Sequence, residues 1–437
     1  MVGMGQGHSH SHDGLHGGWD DWMQSTRLRL VIAVLVAAFI GAVVGLVAMW
    51  PTGDGTANAI EAAQEIGLST ERVNAEVVSS TNESCSYSTP EFEIECRILV
   101  LNILEGPDAG SVLALPEINL EIERGLPEFE PGDGIVLGLT PTTNTYFYED
   151  PIRTTPLAIL AVLFVLIVVL FGRARGALAL AAMAITVAVL VGFVGPSVLD
   201  GNDPVLVALV AAVIIAFVSL FLTHGFTPTT AVALAGTLSA LLLTYVLSWI
   251  FFGLSNFTGF ASNESLLLPV LNADLRLSSL LLGGAIIGAL GALDDVTVTQ
   301  VSLVGELRRN NPDMPASKLI ASGLTVGRDH IAATVNTLLL AYAGASLPLL
   351  LLFAASEQSL VQVANSEAIA VEIVRTLCGS IGLIGAVPLT TALAASILPA
   401  KTPGDDDGHD HGSATIHPAE NSLSENPSWD DFAPDAD

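Results

Sequence analysis

Several familiar catalytic signatures are missing from this chain. It has no G-x-x-x-x-G-K-[ST], so no P-loop is there to supply ATP drive, and neither H-E-x-x-H nor G-x-S-x-G occurs. "DDVTVT" lacks the third acid of a D-D-x-x-D diphosphate motif, and "GALD" is not the G-x-G-D of intramembrane aspartyl proteases. Charge is scarce as well, at 14% of residues, and basic charge most of all: 15 Lys and Arg against 44 Asp and Glu give a net charge of −29. Such a balance argues against nucleic acid as a partner and against electrostatic adhesion to anionic lipid. With three cysteines in 437 residues there is no disulfide framework.

What is present is apolar, and it comes in blocks. Hydrophobic residues make up 51% of the chain. A helix needs roughly 20 such residues to cross the hydrocarbon layer. Eight blocks qualify, at about 29–50, 156–172, 176–195, 204–223, 229–253, 279–298, 331–353 and 377–399. The expected fold class is an α-helical polytopic membrane protein of about eight transmembrane helices, with a small, mainly β extracytoplasmic domain between helices 1 and 2. Five regions follow: a disordered His-rich tail (1–28), a transmembrane signal anchor (29–50), the β-rich domain (51–155), a seven-helix transmembrane domain (156–399) and a disordered acidic tail (400–437). Residues 51–155 hold 19 acids and 4 arginines, and 400–437 hold 10 acids and one lysine, so these two regions carry most of the negative charge.

Orientation follows from basic residues near span ends. Arg27, Arg29, Arg173, Arg175, Arg308, Arg309, Lys318, Arg328 and Lys401 all fall on one side if both termini are cytoplasmic. Arg173 and Arg175 fill a tight turn between the second and third spans. Residues 309–330 read as a loop with a short helix, or a re-entrant segment. Residues 355–375 read as an amphipathic stretch along the outer interface.

In the β-rich domain, 56–80 has helix-favouring composition followed by polar residues. "EFEIECRILVLNI", "GSVLALPEINLEI", "GDGIVLGL" and "TYFYED" read as strands of a small barrel or sandwich, separated by Gly- and Pro-containing turns. Cys85 and Cys96 in "CSYSTPEFEIEC" can close a hairpin as a disulfide on an oxidising side of the membrane. Cys378 reads as a small apolar filler.

The chemistry points to "GALDDVTVTQ", where Asp294 and Asp295 end a run of Gly, Ala, Leu and Ile. On a helix, Gly284, Gly288, Ala292, Asp295, Thr299, Ser302 and Glu306 share one face. Asp294 is rotated by about 100° from Asp295, so only one of them can point fully into a bundle; Asp295 is the expected one. Asp329 and Asn336 share a face of the next span. Together with Asp295 and Thr299 they would form a cluster of hard oxygens suited to a proton or small cation. Gly284, Gly288, Gly379, Gly382 and Gly385 suggest close helix packing. Glu372 and Arg375, three residues apart, can pair. His8, His10, His12, His16, His409 and His411 form two imidazole-rich clusters, read as solvated tails or a weak metal buffer. No cofactor is called for.

Three blocks carry a resemblance: "GALDDVTVTQVSLVGEL", "GLTVGRDHIAATVNTLLLAYAGASLPLLLLF" and "EIVRTLCGSIGLIGAVPLTTALA". In this order they resemble the YibE/F-like family of multi-pass bacterial membrane proteins, and "YEDPIRTTPL" fits the approach to the second span. The resemblance extends over roughly 90–400. It implies a bacterial plasma membrane location and an extracytoplasmic domain, and it maps family motifs onto Asp295, Glu306, Gly327, Asp329, Asn336, Thr337, Arg375, Gly379 and Ser380. It implies no activity. The residues themselves favour a permease-like protein that moves an unknown ion or solute without ATP, through a polar site between helices 6, 7 and 8. A non-transporting scaffold whose outer domain binds an envelope partner and an intramembrane enzyme stand as the alternatives.

Overall fold

A computed structural model describes residues 25–65, 71–140, 145–272, 274–355 and 358–398. The histidine clusters and nearly all of the two tails lie outside the described residues.

The chain enters α1 at Thr26–Ala48, slightly earlier than the expected span. A short helix, α2 (Asp54–Glu65), precedes the sheet. The strands among the described residues are β1 (Glu71–Ser84), β2 (Glu95–Ile103), β3 (Val112–Ala114), β4 (Ile118–Asn119), β5 (Gly134–Thr140) and β6 (Thr145–Pro151). They form one antiparallel sheet in the order β3-β2-β1-β5-β6, with β4 also beside β2. Among the described residues no pairing closes it into a barrel and no second sheet faces it. The longest strand, β1, is central and starts within the stretch of helix-favouring and then polar composition. Its Val73, Ala75 and Val77 alternate inward, and they pack with Leu99, Leu101 and Ile103 of β2 and Ile135, Leu137 and Leu139 of β5. Period-2 burial against two partners makes this largely polar stretch a strand. Cys85, just past β1, and Cys96 in β2 are joined as a disulfide.

The remainder is helical. The α3 helix (Thr154–Val189) breaks at Arg173, whose φ of 51° and ψ of −135° are non-helical. A Cβ on Gly176 would overlap the carbonyl of Val168, eight residues earlier. Residues that far apart in a straight helix lie about 12 Å from each other, so the chain doubles back here as a helical hairpin. The second arm runs on through a π-type turn at Leu190–Val194 into α4 (Gly195–Leu199). Pro196 explains the turn, because proline supplies no N–H and its ring crowds the carbonyl four residues back.

Next come α5 (Pro204–His224) and α6 (Pro228–Leu254). Both start with a capping residue followed by proline: Asp203 Oδ1 accepts from Val205 N at 3.0 Å, and Thr227 Oγ1 accepts from Thr230 N at 3.1 Å. After α7 (Asn263–Leu271), α8 (Leu277–Asn310) is continuous for 34 residues. The α9 helix (Ala316–Ala345) and α10 (Leu347–Ala354) meet at a 65° bend, with Pro348 in the first turn of α10. Residues 316–330, expected as a loop and short helix, are therefore the first half of α9. Gly323 and Gly327 belong to close helix contacts there, against Thr391 and Val387. A short α11 (Leu360–Asn365) leads into α12 (Glu367–Ile397), which starts ten residues before the expected span. The Glu367 carboxylate secures that start by accepting from Gly259 N at 2.6 Å and Thr258 Oγ1 at 2.8 Å.

Among the described residues six helices are long and apolar enough to cross a membrane, or seven when the bent α9–α10 pair is taken as one span. The core of the bundle is built by α5, α6, α8 and α12, whose buried residues include Val207, Leu234, Ile286, Leu293 and Val387. The outward side chains of α3 are apolar and exposed, as a surface against lipid tails would be; Phe171 is 83% exposed. The end of the bundle at which α1 finishes and α3 starts, next to the sheet in sequence, is called the sheet-side end below, and the opposite one the far end.

Candidate functional site

The inward face of α8 is set by its larger apolar side chains. Leu282, Ile286, Leu290, Leu293, Val296 and Val304 are buried at spacings of three, four and eight. That choice leaves the small and polar face outside: Gly284, Gly288, Asp295, Thr299, Ser302 and Glu306 are all exposed. The expected orientation of the aspartate pair is therefore reversed. Asp294 flanks the buried face and Asp295 does not.

Asp294 lies midway along α8, and its Oδ1 is buried without a hydrogen-bond partner among the described residues. The Thr237 hydroxyl of α6 lies beside its carboxyl group. Thr237 Oγ1 and Thr297 Oγ1 are 2.6 Å apart, and Thr297 Oγ1 donates to the backbone carbonyl of Asp294 at 3.1 Å. One turn further, buried Gln300 accepts from Thr391 Oγ1 of α12 at 3.0 Å. Thr390 is fully buried against Gly236, and its hydroxyl has no partner among the described residues. Thr237, Asp294, Thr297, Gln300, Thr390 and Thr391 thus form a polar seam where α6, α8 and α12 meet. Glycine lets the backbones approach along it: a Cβ on Gly236 would overlap Thr390, and one on Gly382 would overlap Thr244.

The expected cluster of Asp295, Thr299, Asp329 and Asn336 does not assemble in this chain. All four are exposed, and among the described residues no hydrogen bond joins any two of their side chains. Thr299 Oγ1 instead donates to the Asp295 carbonyl, 2.8 Å away within the same helix. Glu306 pairs with Arg309 and accepts from Asn310 Nδ2 at 2.9 Å, so it serves the end of α8. Of the five glycines expected to pack, Gly382 and Gly385 do so against Thr244 and Leu243. Gly379 faces open space, Gly284 has only Arg375 Nη2 nearby at 3.9 Å, and Gly288 lies beneath the Tyr342 hydroxyl. Glu372 and Arg375 are paired at 2.6 Å.

Sequence reasoning passed over most of the seam: Thr237, Gln300, Thr390 and Thr391. One signal was available. Thr230, Thr237 and Thr244 recur every seven residues along α6, and all three are buried. A heptad spacing of hydroxyls on one face of an apolar helix marks an interface.

A family model described as YibE/F-like protein matches residues 160–400, more than half of the chain. The matched range holds every residue of the seam and omits the sheet domain and "YEDPIRTTPL". No curated protein and no solved structure matches the chain. The extent of that match places the chain, a multi-pass membrane protein, in the YibE/F-like family.

Proposed function

We propose that the protein is an ion-coupled permease in which Asp294 is the carboxyl group that takes up and releases the coupling ion, with a proton as the first candidate. In this reading the hairpin at Arg173 and the bent α9–α10 pair bring the crossings to eight. Both termini are cytoplasmic, and the sheet domain lies outside. The lack of a nucleotide motif leaves an ion gradient as the source of drive.

The observation that carries the proposal is the unpartnered Oδ1 of Asp294 inside the bundle. A carboxyl group there is costly, and no Lys, Arg or His hydrogen-bonds to it among the described residues. Thr297 gives its proton to the Asp294 carbonyl, and the Thr237 hydroxyl lies between Thr297 Oγ1 and the Asp294 carboxyl group, with its proton open to either. The Thr237 hydroxyl can donate to the ionised carboxyl group or accept from the protonated one. Protonation and deprotonation would change the bonding across the α6–α8 interface, as a coupled carrier requires.

The test is proton flux into proteoliposomes loaded with a pH-reporting dye, alongside infrared difference spectra recorded on changing pH. Asp294→Asn should abolish the flux and remove a carboxyl band while the protein still elutes as a single species. Asp295→Asn should leave both intact. Unchanged flux and an unchanged spectrum in Asp294→Asn would sink the proposal. If the cellular phenotype then depended on the sheet domain alone, the scaffold alternative would take its place.

A further inference from the structure

The overall negative charge conceals a local reversal at the far end of the bundle. Arg27 and Arg29 stand at the start of α1, Arg173 and Arg175 at the hairpin of α3, and His224 at the end of α5. Arg175 is close enough to His224 to act on it electrostatically. The segments 25–39, 171–185 and 217–231 contain no Asp or Glu, in a chain with 44 of them. Four of its 15 Lys and Arg are gathered here.

These segments also border a groove of about 520 Å³. It is lined by Val36 and Phe39 of α1, Ile185 of α3, Phe217 and Phe221 of α5, and Phe226 just past α5. Its aromatic rings run as a ladder: Phe221 and Phe226 stack at 4.7 Å and 9°, Phe217 lies 5.9 Å from Phe221, and Phe39 lies 5.0 Å from Phe217. The ladder starts beside His224. It reaches Phe39, ten residues and about 15 Å along α1 from Arg29.

We propose that this groove holds an acyl chain of an anionic phospholipid from the surrounding bilayer, with the phosphate seated among Arg173, Arg175 and His224. At this depth the apolar medium is lipid, and a phenylalanine-walled groove gives one chain a fixed path. Arginine suits phosphate through several N–H donors in a planar fork. An acid-free rim favours an anionic headgroup over a zwitterionic one. The net charge of the chain argues against electrostatic adhesion to anionic lipid, and this rim departs from that net charge. The inference is independent of Asp294 and of transport.

Native mass spectrometry of the full-length protein tests it, with phosphatidylglycerol and phosphatidylcholine of identical acyl chains added in turn. The unmodified protein should keep one phosphatidylglycerol, favoured at least fivefold over phosphatidylcholine. The double variant Arg173→Gln/Arg175→Gln should bind both lipids equally. Val36→Trp, which fills the groove, should lose the retained lipid while eluting as a single species. Equal retention of both lipids by the unmodified protein would overturn the proposal, as would a full preference kept by the arginine variant. Lipid retained by well-folded Val36→Trp would overturn the groove as its seat.

Discussion

Asp294 and Asp295 are consecutive in sequence and opposite in surroundings: Asp294 has a buried oxygen in the α6–α8–α12 seam, and Asp295 is exposed. The helix itself imposes the divergence, because successive side chains differ by about 100°. Cysteine scanning in a Cys378→Ala background makes the relationship measurable. Asp295→Cys and Thr299→Cys should react with an aqueous thiol reagent in membranes as one stripe. Val296→Cys and Thr297→Cys, both at buried positions, should stay unlabelled. Reaction at 297 with none at 295 would place the other face of α8 outward and remove Asp294 from the seam.

The contact between Thr237 and Thr297 should be worth a modest amount. Interhelical hydrogen bonds in membrane proteins average about 0.6 kcal/mol. Thr237→Val keeps the shape and removes the hydroxyl, so it should lower the thermal midpoint slightly. Thr297→Val should cost more, since Thr297 also bonds to the Asp294 carbonyl. A double-mutant cycle should return a coupling of that order. A coupling near zero would mean that the two hydroxyls do not hold α6 to α8.

Two glycines three residues apart on α12 should behave differently. A Cβ at Gly382 would overlap Thr244, whereas nothing lies within 4 Å of one at Gly379. Gly382→Ala should therefore force α6 and α12 apart and lower the melting temperature in detergent. Gly379→Ala should be neutral or mildly stabilising, because alanine is the better helix former by about 1 kcal/mol. Equal effects at both sites would contradict the close approach at Gly382.

Much of the fold could be read from local chemistry. Arg173 and Arg175 marked the hairpin turn because short apolar runs flanked them. Asp203-Pro204 and Thr227-Pro228 carry the start signals of α5 and α6 in their own side chains. Other features needed partners that a single sequence does not display. The β1 strand is largely polar and shows no strand until β2 and β5 pair with both of its edges. Gly323 and Gly327 read as loop residues until Thr391 and Val387 occupy the space that their missing side chains leave. The orientation of the aspartate pair depended on which face of α8 the neighbouring helices would cover. Leucine, isoleucine and valine decided that, against the pull of the glycine stripe.

Asp200 gives the last prediction, at the sheet-side end. Its carboxylate accepts from Thr52 N at 2.5 Å, Thr52 Oγ1 at 2.9 Å, Gly55 N at 2.8 Å and Gly53 N at 3.3 Å. It thereby ties the end of α4 to the unsatisfied N–H groups at the start of α2. Burial alone would raise its pKa, but the hydrogen bonds from Thr52, Gly55 and Gly53 outweigh burial and hold it below the ordinary value of 3.8. A carboxyl group with a lowered folded-state pKa binds fewer protons folded than unfolded. Its contribution to stability is therefore present above the unfolded value and is lost as pH falls through the folded one. Asp200→Asn removes this dependence and places an amide donor among N–H groups. At neutral pH the variant should melt below the unmodified protein. The gap should begin to narrow as pH falls from about 5 toward 3, through the ordinary carboxylate value, and close only at a lower pH, where folded Asp200 is itself protonated. The other carboxyl groups titrate in both proteins and cancel in the difference. A gap that stays constant over this range would show that the Asp200 contacts act through shape rather than charge.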